Sequence, residues 1–261
     1  TGAPPAGPPT SGTLQFSAGG TQTFAGGANM AVFNFTVAAV GTGVTFTTGS
    51  LQVVSTATIN ANTNVILGTL NIRMITNGGT FINGGQYTSS GGGGVLFEAP
   101  VSGAGTPVQF IGGTGVYSNI EVRLFDETDF VGVVGGTVVT WSGVLTLTSG
   151  TIQTGTGTQF NASTLITTPT IRRNLASIRP AVPDLFPDGK SISVVGTGVF
   201  NATAVSYNLE YFTQAPGTLV ADTPVVSEFI TGATPRVINL TINTAQPGVG
   251  GPFGVDLVGA A

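Results

Sequence analysis

Short runs of alternating residues, each closed by glycine, dominate this chain and restrict it to β structure. In residues 143–160, GVLTLTSGTIQTGTGTQF, Val144, Thr146 and Thr148 alternate with Leu145, Leu147 and Ser149. Ser149-Gly150 breaks the run, and Thr151-Ile152 opens another. Period-two alternation bounded by a glycine turn is the pattern of a half-buried strand. Residues 43–59, GVTFTTGSLQVVSTATI, carry the same pattern, with the break at Gly49-Ser50. The duplication predicts a repeat protein, in which architecture rather than a catalytic centre carries the function.

A second pair of segments points the same way. LQFSAGGTQTFAGGANMAVFNFTV at 14–37 aligns with VQFIGGTGVYSNIEV at 108–122, Phe16 on Phe110 and Phe24 loosely on Tyr117. Residues 193–212 and 229–245 give weaker copies. The offset of the first two, roughly 90–95 residues, exceeds the usual repeat period, so each must contain several smaller units. Within a unit, strands of about five residues recur every 8–12 residues or so, between Gly, Asn, Ser and Thr. A parallel β-helix, an elongated solenoid of short strands, fits this spacing best; tandem β-sandwiches are the alternative. In a solenoid, Val44, Phe46, Leu145 and Leu147 point inward, outward threonines form hydroxyl ladders, and glycine supplies the corners. Like charges would suffer there, one strand spacing apart.

Composition agrees with stacking. Charged residues make up 7% of the chain, against about 25% in average domains. None occurs between Thr1 and Ile72. With 41% hydrophobic residues the chain can still build a sizeable core. The net charge of −4 and seven scattered or loosely grouped basic residues argue against nucleic acid. No segment has the length of a membrane-inserting helix. Without Cys or His, thiolate metal sites, thiol nucleophiles and the usual general base are missing.

The organisation is expected to be a Pro/Gly arm or linker at 1–13, a β-repeat region at 14–167, a joint at 168–190 and a second β-repeat region at 191–261. The joint, TPTIRRNLASIRPAVPDLFPDGK, holds Arg172, Arg173, Arg179 and Lys190, with Asp184 and Asp188 as partners for structural pairing. The start at Thr1 and the unfinished unit at the end suggest a processed product or an excerpt from a longer polypeptide. Pro4, Pro5, Pro8 and Pro9 in the arm, with Phe253, Val255 and Leu257 in the unfinished unit, are the candidate contacts between copies.

NLTIN at 239–243, GVLTLTSGTIQTG at 143–155 and the joint motif resemble repeat segments of very large cell-surface proteins of gliding and other Bacteroidetes, exported by the type IX route. The resemblance covers most of residues 14–245. It implies a secreted, β-rich surface adhesin or filament protein with no catalytic residues to transfer. The pattern departs at Asp188, where that family carries Val before the glycine, and the family's C-terminal sorting domain does not appear in this sequence.

The remaining candidates are modest. Asp126, Glu127 and Asp129, with Glu121 nearby, could offer oxygens to Ca²⁺, although a solvated acidic loop is the simpler reading. No cofactor is expected. Trp141, Tyr117, Tyr207 and Tyr211 could stack on sugars, but their strand positions favour the core. Asn34, Asn161, Asn201 and Asn239 open N-glycosylation triplets of the kind a Thr- and Asn-rich chain produces by chance. These features predict a non-catalytic structural subunit of an extracellular filament or long adhesin, assembling head to tail, with copies of itself as partners and surface glycans as a second partner class. A glycan- or ice-binding module is the alternative, with Thr146 and Thr148 as an outward pair.

Overall fold

A computed structural model describes residues 8–162 apart from 28–29, 90, 104–105 and 126–128; beyond these it describes the strand backbones at 170–174, 195–196, 199–200, 206–212 and 237–243. All the described strands pair in parallel and stack as a β-solenoid, and no described residue is helical. Parallel pairing throughout rules out the sandwich alternative, which needs antiparallel sheets.

Each turn visits three columns. The first holds the front halves of β3 (Met30–Val37) and β5 (Leu51–Ile59), then β7 (Ile72–Met74), β10 (Val95–Phe97), β13 (Ile120–Arg123), β16 (Val144–Ser149), β19 (Thr170–Asn174), β22 (Ser206–Phe212) and β23 (Val237–Asn243). The second holds β1 (Thr13–Phe16), the back halves of β3 and β5, then β8 (Thr80–Asn83), β11 (Pro107–Gly112), β14 (Phe130–Val133), β17 (Thr151–Thr154) and β20 (Val195–Gly196). These two columns form one sheet. The third is a separate sheet of β2 (Gly20–Ala25), β4 (Thr42–Thr48), β6 (Asn64–Ile66), β9 (Gln86–Thr88), β12 (Val116–Tyr117), β15 (Val138–Trp141), β18 (Gln159–Ala162) and β21 (Val199–Phe200). Six turns lie between Met30 and Ala162.

The register replaces the sequence alignment. Leu51 pairs with Ile72, Ile72 with Val95, Val95 with Ile120 and Ile120 with Leu145. The repeat is therefore one turn, and the roughly 90-residue offset spans four. The alike segments 43–59 and 143–160 are not equivalent: β4 lies in the third column and β16 in the first. Phe16 and Phe110 share a column but face opposite ways. Phe16 continues into the inward row of Val37 and Ile59, whereas Phe110 continues the outward row of Thr80, Thr56 and Asn34. β19 falls inside the segment 168–190 and continues the stack between β16 and β22.

Alternation does set inside and outside. Val44, Phe46, Leu145 and Leu147 are all buried in one continuous core. Aromatic rings stack within it. Phe24 lies 4.7 Å from Phe46, Phe81 5.7 Å from Tyr117, and Trp141 rests on Phe160 at 6.4 Å. Such pairs add about 0.5–1.5 kcal/mol each beyond area burial.

The corners are sewn by side chains that bond to the next turn. At the entrance to the first column, Asn71 N–H donates to Ser50 Oγ at 3.2 Å, and Gly94 N–H donates to Asn71 Oδ1 at 2.7 Å. Two rungs on, Val144 N–H donates to Asn119 Oδ1 at 2.8 Å, and Asn119 Nδ2 donates to the Gly93 carbonyl at 3.0 Å. At the exit from the second column, Asn60 Nδ2 donates to the Ala38 carbonyl and Asn83 Nδ2 to the Val116 carbonyl, both at 3.1 Å. Turn backbone that strand pairing leaves unpaired is satisfied in this way.

Candidate functional site

Charge among the described side chains is confined to one side of the solenoid. Among the described side chains, Arg73, Glu98, Glu121 and Arg123 lie on the outer face of the first column or at its exit, and Asp129 borders it. No strand of the third column carries a charged residue.

The expected like-charge clash in the stack does not arise, because the signs alternate from turn to turn. Arg73 holds Glu98 Oε2 through Nε at 2.8 Å and Nη2 at 2.6 Å. Arg123 reaches Glu98 Oε1 at 3.3 Å on one side and Glu121 Oε1 at 2.7 Å on its own strand. Thr148 Oγ1 donates to that same Glu121 oxygen at 2.8 Å, closing the ladder across four turns. Exposed pairs contribute about 0.2–1 kcal/mol each. The ladder therefore sets register more than it adds stability.

Thr146 and Thr148 line the same groove as Glu121, but they are not an exposed pair. The register shifts between Val122 and Arg123, so Arg123 opposes Ser149, and Thr148 is covered to 6% exposure with its Oγ1 spent on Glu121. On the third column the outward rows read Thr21, Gly43, Asn64, Gln86 and Thr23, Thr45, Ile66, Thr88. These rows mix amide, glycine and isoleucine with threonine, so the ice-binding alternative gains no support from their geometry.

The acidic candidates part company. Asp126 and Glu127 lie outside the described residues. Asp129 is fully buried, and its Oδ1 accepts from Gly103 N–H at 2.6 Å and from Ser102 Oγ at 3.2 Å. It fastens the loop after β10 to the turn above. Among the described residues no three acidic side chains converge as metal ligands would. Asp129→Ala is expected to leave the Gly103 amide unbonded, at a cost of about 1–3 kcal/mol. Limited proteolysis should then cut at residues 99–106 much faster than in the unaltered chain, and an unchanged cleavage rate would refute this role.

A shallow groove of about 340 Å³ lies beside the ladder. Gly92 and Gly94 line it; an added Cβ would meet nothing within 4 Å at Gly92 but would run into Asn119 at Gly94. Glu121, Thr146 and Thr148 form its wall. Protein-family models, curated proteins and solved structures yield no match to this chain. The groove must therefore be read from its own atoms.

Tyr117 and Trp141 pack inside the solenoid, fully buried, as strand alternation predicts. The side chains of Tyr207, Tyr211, Arg172 and Arg173 lie outside the described residues, as do Arg179, Asp184, Asp188 and Lys190. So do Pro4, Pro5, Phe253, Val255 and Leu257. Pro8 is exposed and Pro9 half-buried ahead of β1. Asn34 accepts from Thr56 N–H at 3.2 Å and Asn161 is buried, so both amides are engaged in the stack rather than presented for glycosylation. Sequence reasoning passed over Asn71, Asn119 and the glycine run 91–94. Four consecutive glycines were the available signal.

Proposed function

We propose that this chain is a non-catalytic structural module of an extracellular filament or long cell-surface adhesin, joined head to tail with further copies of itself. The observation that carries the reading is the parallel stack, in which Arg73, Glu98, Arg123 and Glu121 are spent on a register ladder along the axis. Each turn adds about 4.8 Å of length and repeats the same backbone edge. A further copy can therefore extend the stack by the strand pairing that builds it. The small share of charged residues suits a surface covered by neighbours, and the resemblance to type IX-exported surface repeats gives the cell exterior as its location. Self-association and surface glycans are the partner classes that follow; nucleic acid and membrane insertion do not.

Electron microscopy of the purified chain over rising concentration tests the reading. Expected are end-to-end particles or fibres whose length grows with concentration. Monodisperse single particles at every concentration, with fibres absent from tandemly linked copies as well, would count against it.

A further inference from the structure

We propose that the groove over Gly92 and Gly94 is a subsite for one or two rings of a neutral saccharide. The inference rests on the adhesin side of the reading above and supplies its ligand. Three groups around the groove keep bonding capacity after the internal hydrogen bonds of the described residues are satisfied. Asn71 uses Oδ1 to cap Gly94 and leaves its Nδ2 donors facing no partner there. Glu121 receives Arg123 and Thr148 on Oε1, which leaves Oε2. Thr146 makes no side-chain hydrogen bond to the described residues and stands half-buried in the wall. A donor, an acceptor and a hydroxyl that can act as either are the set that vicinal hydroxyls of a sugar match.

Shape and charge narrow the class. The open side lies over Gly92, where an added Cβ would meet nothing within 4 Å, whereas at Gly94 Asn119 packs directly against the backbone. The volume, about 340 Å³, is at the small end of ligand sites, which run roughly 300–1,000 Å³. The one charged side chain among the described lining residues is a carboxylate, which disfavours uronates, sulfates and phosphates. Half-buried Val144 offers a small apolar surface for the C–H face of a ring. Asn71 and Asn119 are held by their caps, so the walls are preorganised. A groove this open predicts millimolar affinity for one module and much tighter avidity for many modules in a row.

The test is binding of short neutral oligosaccharides and uronate oligosaccharides of equal length to the full chain, followed by amide chemical shifts. Expected is saturable binding of at least one neutral series, with shifts at Gly92, Gly94, Thr146 and Val144. Thr146→Phe, which fills the groove from an outward position, should weaken it about tenfold or more while far-ultraviolet dichroism stays unchanged. Should that variant misfold, Glu121→Gln keeps the shape and should weaken binding about threefold or more. Binding by neither series, preference for the uronates, or binding indifferent to both variants would overturn the proposal. Fibre formation in the microscope is independent of this result, so failure of the subsite and failure of the structural reading remain distinguishable.

Discussion

Gly113→Ala is expected to remove about 2–5 kcal/mol of stability, enough to disrupt the turns around β11 and β12. Gly113 has a φ of +96°. Any other residue there costs about 1–2 kcal/mol in backbone conformation alone. A Cβ at that point would also run into the carbonyl oxygen of Asn83 in the turn below, which is backbone and cannot rotate aside. Forcing atoms into a packed site costs about a further 1–3 kcal/mol. Gly92→Ala is the matched control. Its φ is +89°, but an added Cβ meets nothing within 4 Å. It should lose only the backbone contribution. Urea denaturation of both variants, compared through midpoints at constant slope, separates the two costs. Equal losses would show that turn-to-turn contact at Gly113 is not what excludes a side chain. Because each turn is held by its neighbours, the damage should spread along the axis before it reaches the far turns.

The same close stacking explains what the sequence could and could not reveal. Alternation identified inside and outside correctly at Val44, Phe46, Leu145 and Leu147, because side-chain period two is a property of any single strand. It could not assign a strand to a column. Every column uses the same alternation, so 43–59 resembled 143–160 although one lies on the third column and the other on the first. Register is fixed at the corners, by Asn71, Asn119 and Asn83, whose meaning depends on a turn length that is not constant. Phe81 pairs with Ile111 across the loop that Asp129 fastens, whereas Val32 pairs with Val53 over a much shorter interval. A search at fixed period loses the thread there. The covering of Thr148 has a related cause: the shift between Val122 and Arg123 makes it an extra residue in the ladder, bonded to Glu121, without leaving any mark in the alternation. The charged ladder was legible only after the register was known, since Arg73, Glu98, Arg123 and Glu121 become neighbours through it. The groove was hidden for the same reason, since Asn71, Gly92, Glu121 and Thr146 come together only through the register.

Alkali should unfold this solenoid more steeply than heat alone would suggest. Tyr87 and Tyr117 point into the core, and burial raises both phenols well above their ordinary value of 10.0. Desolvation is the main cause in each, and Tyr117 adds like-charge repulsion at Tyr87. At Tyr117 the backbone groups of Asn83 and Gly112 act against the burial effect, while the hydroxyl's own donation to the Gly112 carbonyl at 2.8 Å helps to hold the proton. The Tyr87 hydroxyl is buried with no hydrogen-bond partner. The folded chain therefore holds these two protons more tightly than the unfolded chain. Their stabilising contribution is complete below about pH 10, where both states are protonated, and it falls as pH rises above that value. Each group should then remove about 1.4 kcal/mol per pH unit until its folded pKa is reached. Two together give a loss of about 2.7 kcal/mol per unit, a large share of a typical stability of about 5–15 kcal/mol. Thermal midpoints should be flat from pH 7 to about pH 9.5 and then drop sharply, with phenolate absorbance of two tyrosines appearing only as the fold is lost. Tyr87→Phe removes one of the two groups and a buried hydroxyl without a partner. It should halve the alkaline slope and leave neutral stability unchanged or slightly higher. Phenolate absorbance from all four tyrosines at ordinary pH in the folded chain would mean that Tyr87 and Tyr117 are open to water, and the packed interior assigned to them would have to be abandoned.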